Sequence, residues 1–157
     1  MQSLIGLIKS FKIDSIINNC IKIIFTRLNS IRFKELIKYL SHQNEYIKLE
    51  FSKQGIKSII LSSDYSQIFS LEFESKHFDL YFCLENIEVI INVNEFNRYL
   101  TNIGPKDYLE ISLQALSDQN LKINILDSNS QIKETHQLAK INNNEIENIS
   151  ITPLNFE

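Results

Sequence analysis

Glycine, proline and cysteine are scarce in this 157-residue chain, which contains three, two and two of them respectively. This scarcity excludes collagen-like and Pro/Gly-rich low-complexity chains. The two cysteines, Cys20 and Cys83, are too few for a disulfide scaffold and lack metal-ligand spacing, which favours a reducing compartment. With 43% hydrophobic and 22% charged residues, the chain is able to bury the core of one domain of ordinary size.

Long hydrophobic runs are also missing. No segment reaches the roughly 18 consecutive apolar residues that a membrane span needs. The apolar N-terminal stretch is interrupted by Lys9, Lys12 and Asp14, and no compact apolar block precedes a small-residue cleavage site. We therefore expect no signal peptide and no membrane partner, and a soluble, intracellular protein.

Basic residues are not in excess. Sixteen Lys and Arg face nineteen Asp and Glu, so the formal net charge is −3. Bulk charge therefore does not predict a nucleic-acid partner. A local basic face remains compatible with the sequence, because the electrostatic field depends on where charges lie and not only on their sum.

The usual signs of an enzyme are absent from the sequence. His42, His77 and His136 fall in separate predicted turns or strands, without the spacing of metal ligands. The chain has no glycine-rich phosphate loop and no nucleophile motif. Cys83 follows a run of large apolar residues, which is typical of a buried thiol. We expect no catalytic residue, no metal and no cofactor, and predict that the chain is not an enzyme.

Hydrophobic periodicity predicts an α+β domain, in which two helices pack on one face of an antiparallel sheet, plus an extra N-terminal helix. Ser30 is predicted to cap a helix that runs to about Leu40, and Asn94 to cap a second helix over 95–103. Gly55, in the hairpin turn 52–55, is predicted to need a positive φ. The predicted strands are 22–28, 46–51, 56–62, 66–74, 78–83, 88–93, 108–113, 121–126 and 133–141. The predicted units are a helical extension (1–21), one domain (22–141) and an extended tail (142–157).

Several basic residues fall on the free sides of the two predicted helices. Lys34 and Lys38 are four residues apart and therefore share a side of the first helix. Arg98 lies on the outer side of the second helix, whereas Arg32 is placed nearer the core edge. The simpler alternative is an ordinary solvated helix face.

The segment Phe78–Cys83, followed by Asn86 and by 91–93, resembles the Phe-Asp-x-Tyr-x-Cys…Asn…Val-Asn-Leu stretch of the proliferating cell nuclear antigen family, the DNA sliding clamps. The likeness covers about residues 22–157, because the turn, strands, second helix and a connector-like tail follow in the family's order. Sliding clamps are rings of six such domains whose helices line a hole around duplex DNA. The resemblance therefore implies a non-enzymatic processivity factor of DNA replication and repair, located in the nucleus or at a viral replication site.

The resemblance also implies site residues. Lys34 and Arg98 fall on lining lysines of the family, and with Lys38 they are the expected contacts to double-stranded DNA. A pocket for clamp-binding motifs of DNA polymerase, the clamp loader and other proteins falls on Leu61, Tyr65, Ile68, Ile149, Ile151 and Pro153.

The subunit-interface strand, which would pair with another clamp domain in a homo- or hetero-oligomeric ring, falls on Lys133, Gln137 and Ile141. Two alternatives remain open from the sequence. One is a subunit of the DNA-damage checkpoint clamp, and the other is an interaction module that kept the fold but no longer encircles DNA.

Overall fold

The computed structural model describes residues 19–61 and 68–142, with the backbone alone at Leu61. It contains nine strands, two α-helices and a short 3₁₀ turn over Ser75–His77. The predicted N-terminal helix and the connector-like tail beyond residue 142 lie outside the described residues. The helices are α1 (Arg27–Ser41) and α2 (Val93–Leu100). The strands are β1 (Ile21–Phe25), β2 (Tyr46–Ser52), β3 (Gly55–Leu61), β4 (Ile68–Glu74), β5 (Phe78–Cys83), β6 (Ile87–Asn92), β7 (Tyr108–Leu113), β8 (Asn120–Leu126) and β9 (Ile132–Ala139).

The strands divide between two antiparallel sheets. One has the order β5-β1-β7-β8-β9 and the other the order β4-β3-β2-β6. The two helices pack against each other, α1 also contacting β1 and β7, and α2 contacting β6 and β9. Just past β9, the Ile141 amide donates to the Ile90 carbonyl at 2.8 Å and so joins the end of one sheet to the edge of the other. The predicted α+β class is confirmed.

Phenylalanine rings join the helices to both sheets in the core. The Phe33 ring of α1 lies 4.8 Å from Phe25 in β1, 5.6 Å from Phe73 in β4 and 5.6 Å from Phe96 in α2. Phe25, Phe33 and Phe96 are fully buried. Burying such a side chain contributes about 1.5–3 kcal/mol, so this cluster fixes the position of the two helices on the sheets.

Helix α1 begins four residues earlier than the sequence predicted. Thr26, not Ser30, is the N-cap, and its hydroxyl accepts from the Asn29 amide at 3.1 Å. The Ser30 hydroxyl instead donates to the Thr26 carbonyl and accepts from the Leu109 amide in β7 at 2.9 Å. The assignment of Ser30 as a cap is therefore wrong, because this hydroxyl accepts a hydrogen bond from a buried main-chain amide of a distant strand.

Helix α2 is likewise capped two residues earlier than predicted. The Asn92 side chain accepts from the Glu95 amide at 2.9 Å, whereas Asn94 lies inside the helix and is exposed. Phe96, Leu100 and Ile103 are buried, as the helical pattern predicted.

The prediction for Gly55 is confirmed. Its φ is 143°, and a Cβ atom at this position would overlap the Phe73 carbonyl oxygen of β4. Only glycine combines this φ with so close a main-chain approach, and the β2–β3 hairpin therefore depends on it.

Candidate functional site

The two helices form the basic part of an acidic chain. Together α1 and α2 carry five basic and two acidic side chains, a net charge of +3, whereas the whole chain has −3. Since the field follows the placement of charge, this layer attracts anions even though the protein as a whole is acidic. The basic residues are Arg27, Arg32, Lys34, Lys38 and Arg98, and the acidic ones are Glu35 and Glu95.

Lys34 is held at the end of the second helix. Its side chain is half-buried, and its Nζ donates to the Ile103 carbonyl at 2.9 Å, just beyond α2. This contact spans 69 residues of sequence and fixes α1 against the loop that follows α2. The structure therefore brings Lys34 onto the two-helix layer, with its ammonium already bonded to the main chain.

Asp107 lies in the same loop and attracts two of the predicted site residues. Its Oδ2 accepts from Lys133 Nζ at 2.9 Å and from the Gly104 amide at 2.7 Å, and the Lys34 charge also acts on it. Burial raises the pKa of this carboxyl, but these hydrogen bonds and cations together lower it more, so the pKa lies below its usual value.

Lys38 and Arg98 are exposed on the helices. Lys38 lies in the last turn of α1, one helical turn beyond Lys34 on the same side. The Arg98 guanidinium lies 5.6 Å from the centre of the Tyr99 ring, a cation–π arrangement. Both cations are open to a ligand such as a phosphate. The structure thus places all three predicted DNA-facing residues on the two-helix layer.

Sequence reasoning missed Arg27 and misplaced Arg32. Arg27 is the first residue of α1, seven positions before Lys34 and so on the same side of the helix, with its guanidinium 5.1 Å from the Tyr108 ring centre. It was missed because residues 22–28 were predicted as a strand. Arg32 is exposed and not at the core edge.

The predicted partner pocket is described only in part. Ile68 opens β4 opposite Leu61 of β3, and its side chain is 53% exposed. Ile59, also strongly exposed, lies near it on β3 and was not singled out from the sequence. The other predicted pocket residues lie outside the described residues: Tyr65, Ile149, Ile151 and Pro153. The pocket therefore stays a prediction.

The predicted interface strand is β9, an edge of the five-stranded sheet. Gln137 is exposed and pairs with Lys122 of β8, and Lys133 reaches back to Asp107. Ile141 does not belong to this strand, because β9 ends at Ala139 and the Ile141 amide is bonded to β6.

The remaining chemistry-bearing residues form no candidate metal site in the described part of the chain. Residues 19–61 and 68–142 hold no group of three His, Cys, Asp or Glu side chains placed to bind a metal. Cys83 is buried, as predicted, and burial raises the pKa of its thiol. No helix in these residues is long and apolar enough to cross a membrane.

Structures of sliding clamps share this fold. The proliferating cellular nuclear antigen of Entamoeba histolytica matches with a TM-score of 0.68 and 17% identity over 79% of this chain and 48% of that chain. PCNA from Thermococcus kodakaraensis matches with a TM-score of 0.68 and 16% identity over the same shares of the two chains. The PCNA2–PCNA3 complex of Sulfolobus tokodaii matches with a TM-score of 0.67 and 18% identity over 87% of this chain and 51% of that chain. The chain thus spans about half the length of these proteins.

The sequence comparison agrees with the fold. No curated protein matches in sequence. The family model described as "Proliferating cell nuclear antigen, N-terminal domain" matches residues 26–148, which is most of the chain. The resemblance seen in the sequence is therefore confirmed, and the chain belongs to the family of PCNA N-terminal domains.

Proposed function

We propose that this chain is a sliding-clamp domain that forms part of a ring around duplex DNA and holds replication and repair proteins, such as a DNA polymerase, on the template. In this role it is a scaffold and not an enzyme. The observation that carries the proposal is the net charge of +3 on the two-helix layer of a family member whose whole chain has −3.

The geometry suits contact with the DNA backbone. Lys38 and Arg98 are exposed cations on neighbouring helices, and Lys34 donates to the Ile103 carbonyl just beyond α2. Contacts of this kind reach phosphates and carry no base sequence. Because enclosure and not tight binding would retain the protein, a few weak, salt-screened contacts are compatible with movement along DNA.

Removing the two exposed cations tests the DNA face. In the double variant Lys38→Gln/Arg98→Gln, the slope of log K against log salt for duplex DNA should flatten by up to about 1.8, since each lost phosphate contact removes about 0.9. The measurement is fluorescence anisotropy of labelled duplex between about 50 and 200 mM salt.

A matched control removes the same charge elsewhere. Lys57 and Lys122 are exposed on β3 and β8, and the variant Lys57→Gln/Lys122→Gln should leave the slope unchanged. Equal slopes for the wild-type chain and the helix variant would contradict the DNA-facing assignment and favour an interaction module that does not hold DNA.

The clamp proposal extends to the exposed Ile59 and Ile68 of the β3–β4 hairpin. Apolar side chains on a sheet surface suit a short anchored peptide. We place the docking of clamp-binding motifs here, with Leu61, Tyr65, Ile149, Ile151 and Pro153 as further contacts.

A further inference from the structure

The five-stranded sheet has an apolar strip on the side that faces away from the core. In β1 the residues Ile21, Ile23 and Phe25 are buried, so Ile24 points to the other side. The register pairs Ile24 with Leu80 and Lys22 with Phe82, and the Leu84 amide donates to the Cys20 carbonyl. These pairings place four apolar residues side by side on the outer face. We call Ile24, Leu80, Phe82 and Leu84 the outer strip.

The middle of that outer face is polar and internally bonded. Asn124 of β8 donates to Glu110 of β7 at 2.8 Å, and the Thr135 hydroxyl of β9 donates to Asn124 at 2.8 Å. Lys22 forms an ion pair with Glu110 at 3.6 Å. Apolar residues of this face thus lie in the outer strip on β5 and β1, and also at the pair of Tyr108 in β7 with Leu126 in β8. Because Leu84 is exposed and the other three are half-buried, the outer strip is a candidate contact surface.

The described structure begins at residue 19, and Cys20 lies beside this strip. The Cys20 amide donates to the Leu113 carbonyl at 2.7 Å, and its carbonyl accepts from Leu84. Leu84 and, beyond β7, Leu116 are 56% and 50% exposed near this point. Among the large apolar residues of the N-terminal segment, residues 1–18, seven recur at helix-like intervals: Leu4, Ile5, Leu7, Ile8, Phe11, Ile16 and Ile17.

We propose that residues 1–18 fold back and dock their apolar side over the outer strip. The segment is long enough for this, because a helix of this size spans about 27 Å, whereas the outer strip along β5 spans only about 13 Å. The segment lies outside residues 26–148, which match the family. The outer strip also uses Leu80 and Phe82, the two positions that the family's Phe-Asp-x-Tyr-x-Cys motif leaves open. The docking is thus an addition of this chain to the family fold.

The absence of tryptophan from the sequence allows a direct test. In Phe82→Trp the single tryptophan should be covered in the otherwise intact chain. Adding Ile8→Asp and Phe11→Asp should shift its emission to longer wavelength and raise acrylamide quenching at least about twofold, since the aromatic ring returns to water.

Two controls isolate the contact. The variant Lys9→Asp/Lys12→Asp introduces two aspartates at polar positions of the segment instead of apolar ones. It should leave the Phe82→Trp signal unchanged. Leu28→Trp reports from a 59% exposed site on α1 and should not respond to Ile8→Asp/Phe11→Asp. If Phe82→Trp does not fold by circular dichroism, Leu84→Trp reports from the same strip.

Two results would overturn the proposal. The first is that acrylamide quenches the tryptophan introduced at Phe82 or Leu84 equally with and without Ile8→Asp/Phe11→Asp. The second is protection that persists in that variant but disappears on dilution over about a hundredfold concentration range, which by mass action indicates a second copy on the strip. Neither result bears on DNA binding, so the proposed function is tested separately.

Discussion

Asp107 is the residue at which the second helix, β9 and Lys34 come together. Its carboxylate holds the Gly104 amide and Lys133 Nζ, and the Lys34 charge acts on it from α1. Lys34 is also bonded to the Ile103 carbonyl. A phosphate would therefore compete with existing partners for Lys34, whereas Lys38 and Arg98 are more exposed. At the residue scale, this makes Lys34 a positioning residue as well as a cation.

Replacing Asp107 should destabilise the protein in a pH-dependent way. Asp107→Asn should lower the free energy of unfolding at neutral pH by about 1–3 kcal/mol, because the charge-assisted bonds are lost. Since the native pKa lies below that of the unfolded chain, the wild-type stabilisation is full above the ordinary aspartate pKa. It is lost as the pH falls through the lower native pKa. Urea unfolding at several pH values measures the difference, which should shrink in acid.

Asp118 provides a matched control for this prediction. Its carboxylate accepts a hydrogen bond from one exposed amide, that of Ala115 at 2.9 Å, and it forms no ion pair with a basic side chain of the described residues. Asp118→Asn should lower the free energy of unfolding by much less than Asp107→Asn does. A stability difference for Asp107→Asn that does not change with pH would contradict the electrostatic role of the carboxylate.

At the scale of elements, the residue at which each helix begins decides which side chains belong to the basic two-helix layer. The Thr26 cap makes Arg27 the first residue of α1 and so adds a cation to the stripe of Lys34 and Lys38. The Asn92 cap starts α2 directly from the end of β6. Both helices therefore leave their strands without an intervening loop, which fixes their direction across the sheets.

The position of the α2 cap is testable with two nearby asparagines. Asn92→Ala should lower the free energy of unfolding by about 1 kcal/mol, because the Glu95 amide loses its acceptor. Asn94→Ala, inside the helix and exposed, should cost little or slightly stabilise, since alanine has the higher helix propensity. Chemical denaturation compares the two variants. The reverse order of stability would show that the helix begins at Asn94.

The edge strand β9 is the proposed contact between copies of the whole molecule. Among the described residues β9 pairs only with β8, and an edge strand with apolar residues tends to pair with another chain. Ile132 opens β9 and is 58% exposed. If this edge forms the ring contact, its apolar side chain is buried on association.

A charge at Ile132 should therefore weaken self-association. Ile132→Lys is expected to lower the association constant about tenfold or more, equivalent to ~1.4 kcal/mol, as measured by light scattering over a range of protein concentrations. Leu28→Lys is the matched control, because Leu28 on α1 is 59% exposed. Equal weakening by both variants would argue against β9 as the contact. A wild-type chain that stays monomeric would contradict self-assembly into a ring.

Much of the fold followed from local sequence patterns. The alternation of Ile47, Leu49 and Phe51 with polar residues predicted β2, and these three residues are buried. Gly55 marked the hairpin because its conformation depends on the residue itself. The segment Phe78–Cys83 pointed to the sliding-clamp family. Each of these signals lies within a few consecutive residues, so the sequence alone was sufficient for it.

The candidate site depended on contacts between distant parts of the chain. Lys34 donates to the Ile103 carbonyl, 69 residues away in sequence, and Lys133 donates to Asp107, 26 residues away. The Ser30 hydroxyl accepts from the Leu109 amide, 79 residues away. No periodicity encodes such pairs, because they arise only when packing brings separate elements together. The sequence by itself determined the element types, the core pattern and the family. The tertiary structure alone decided where the helices begin, how the strands divide between two sheets and which cations are exposed, since hydrogen bonding and burial are settled between elements and not within them.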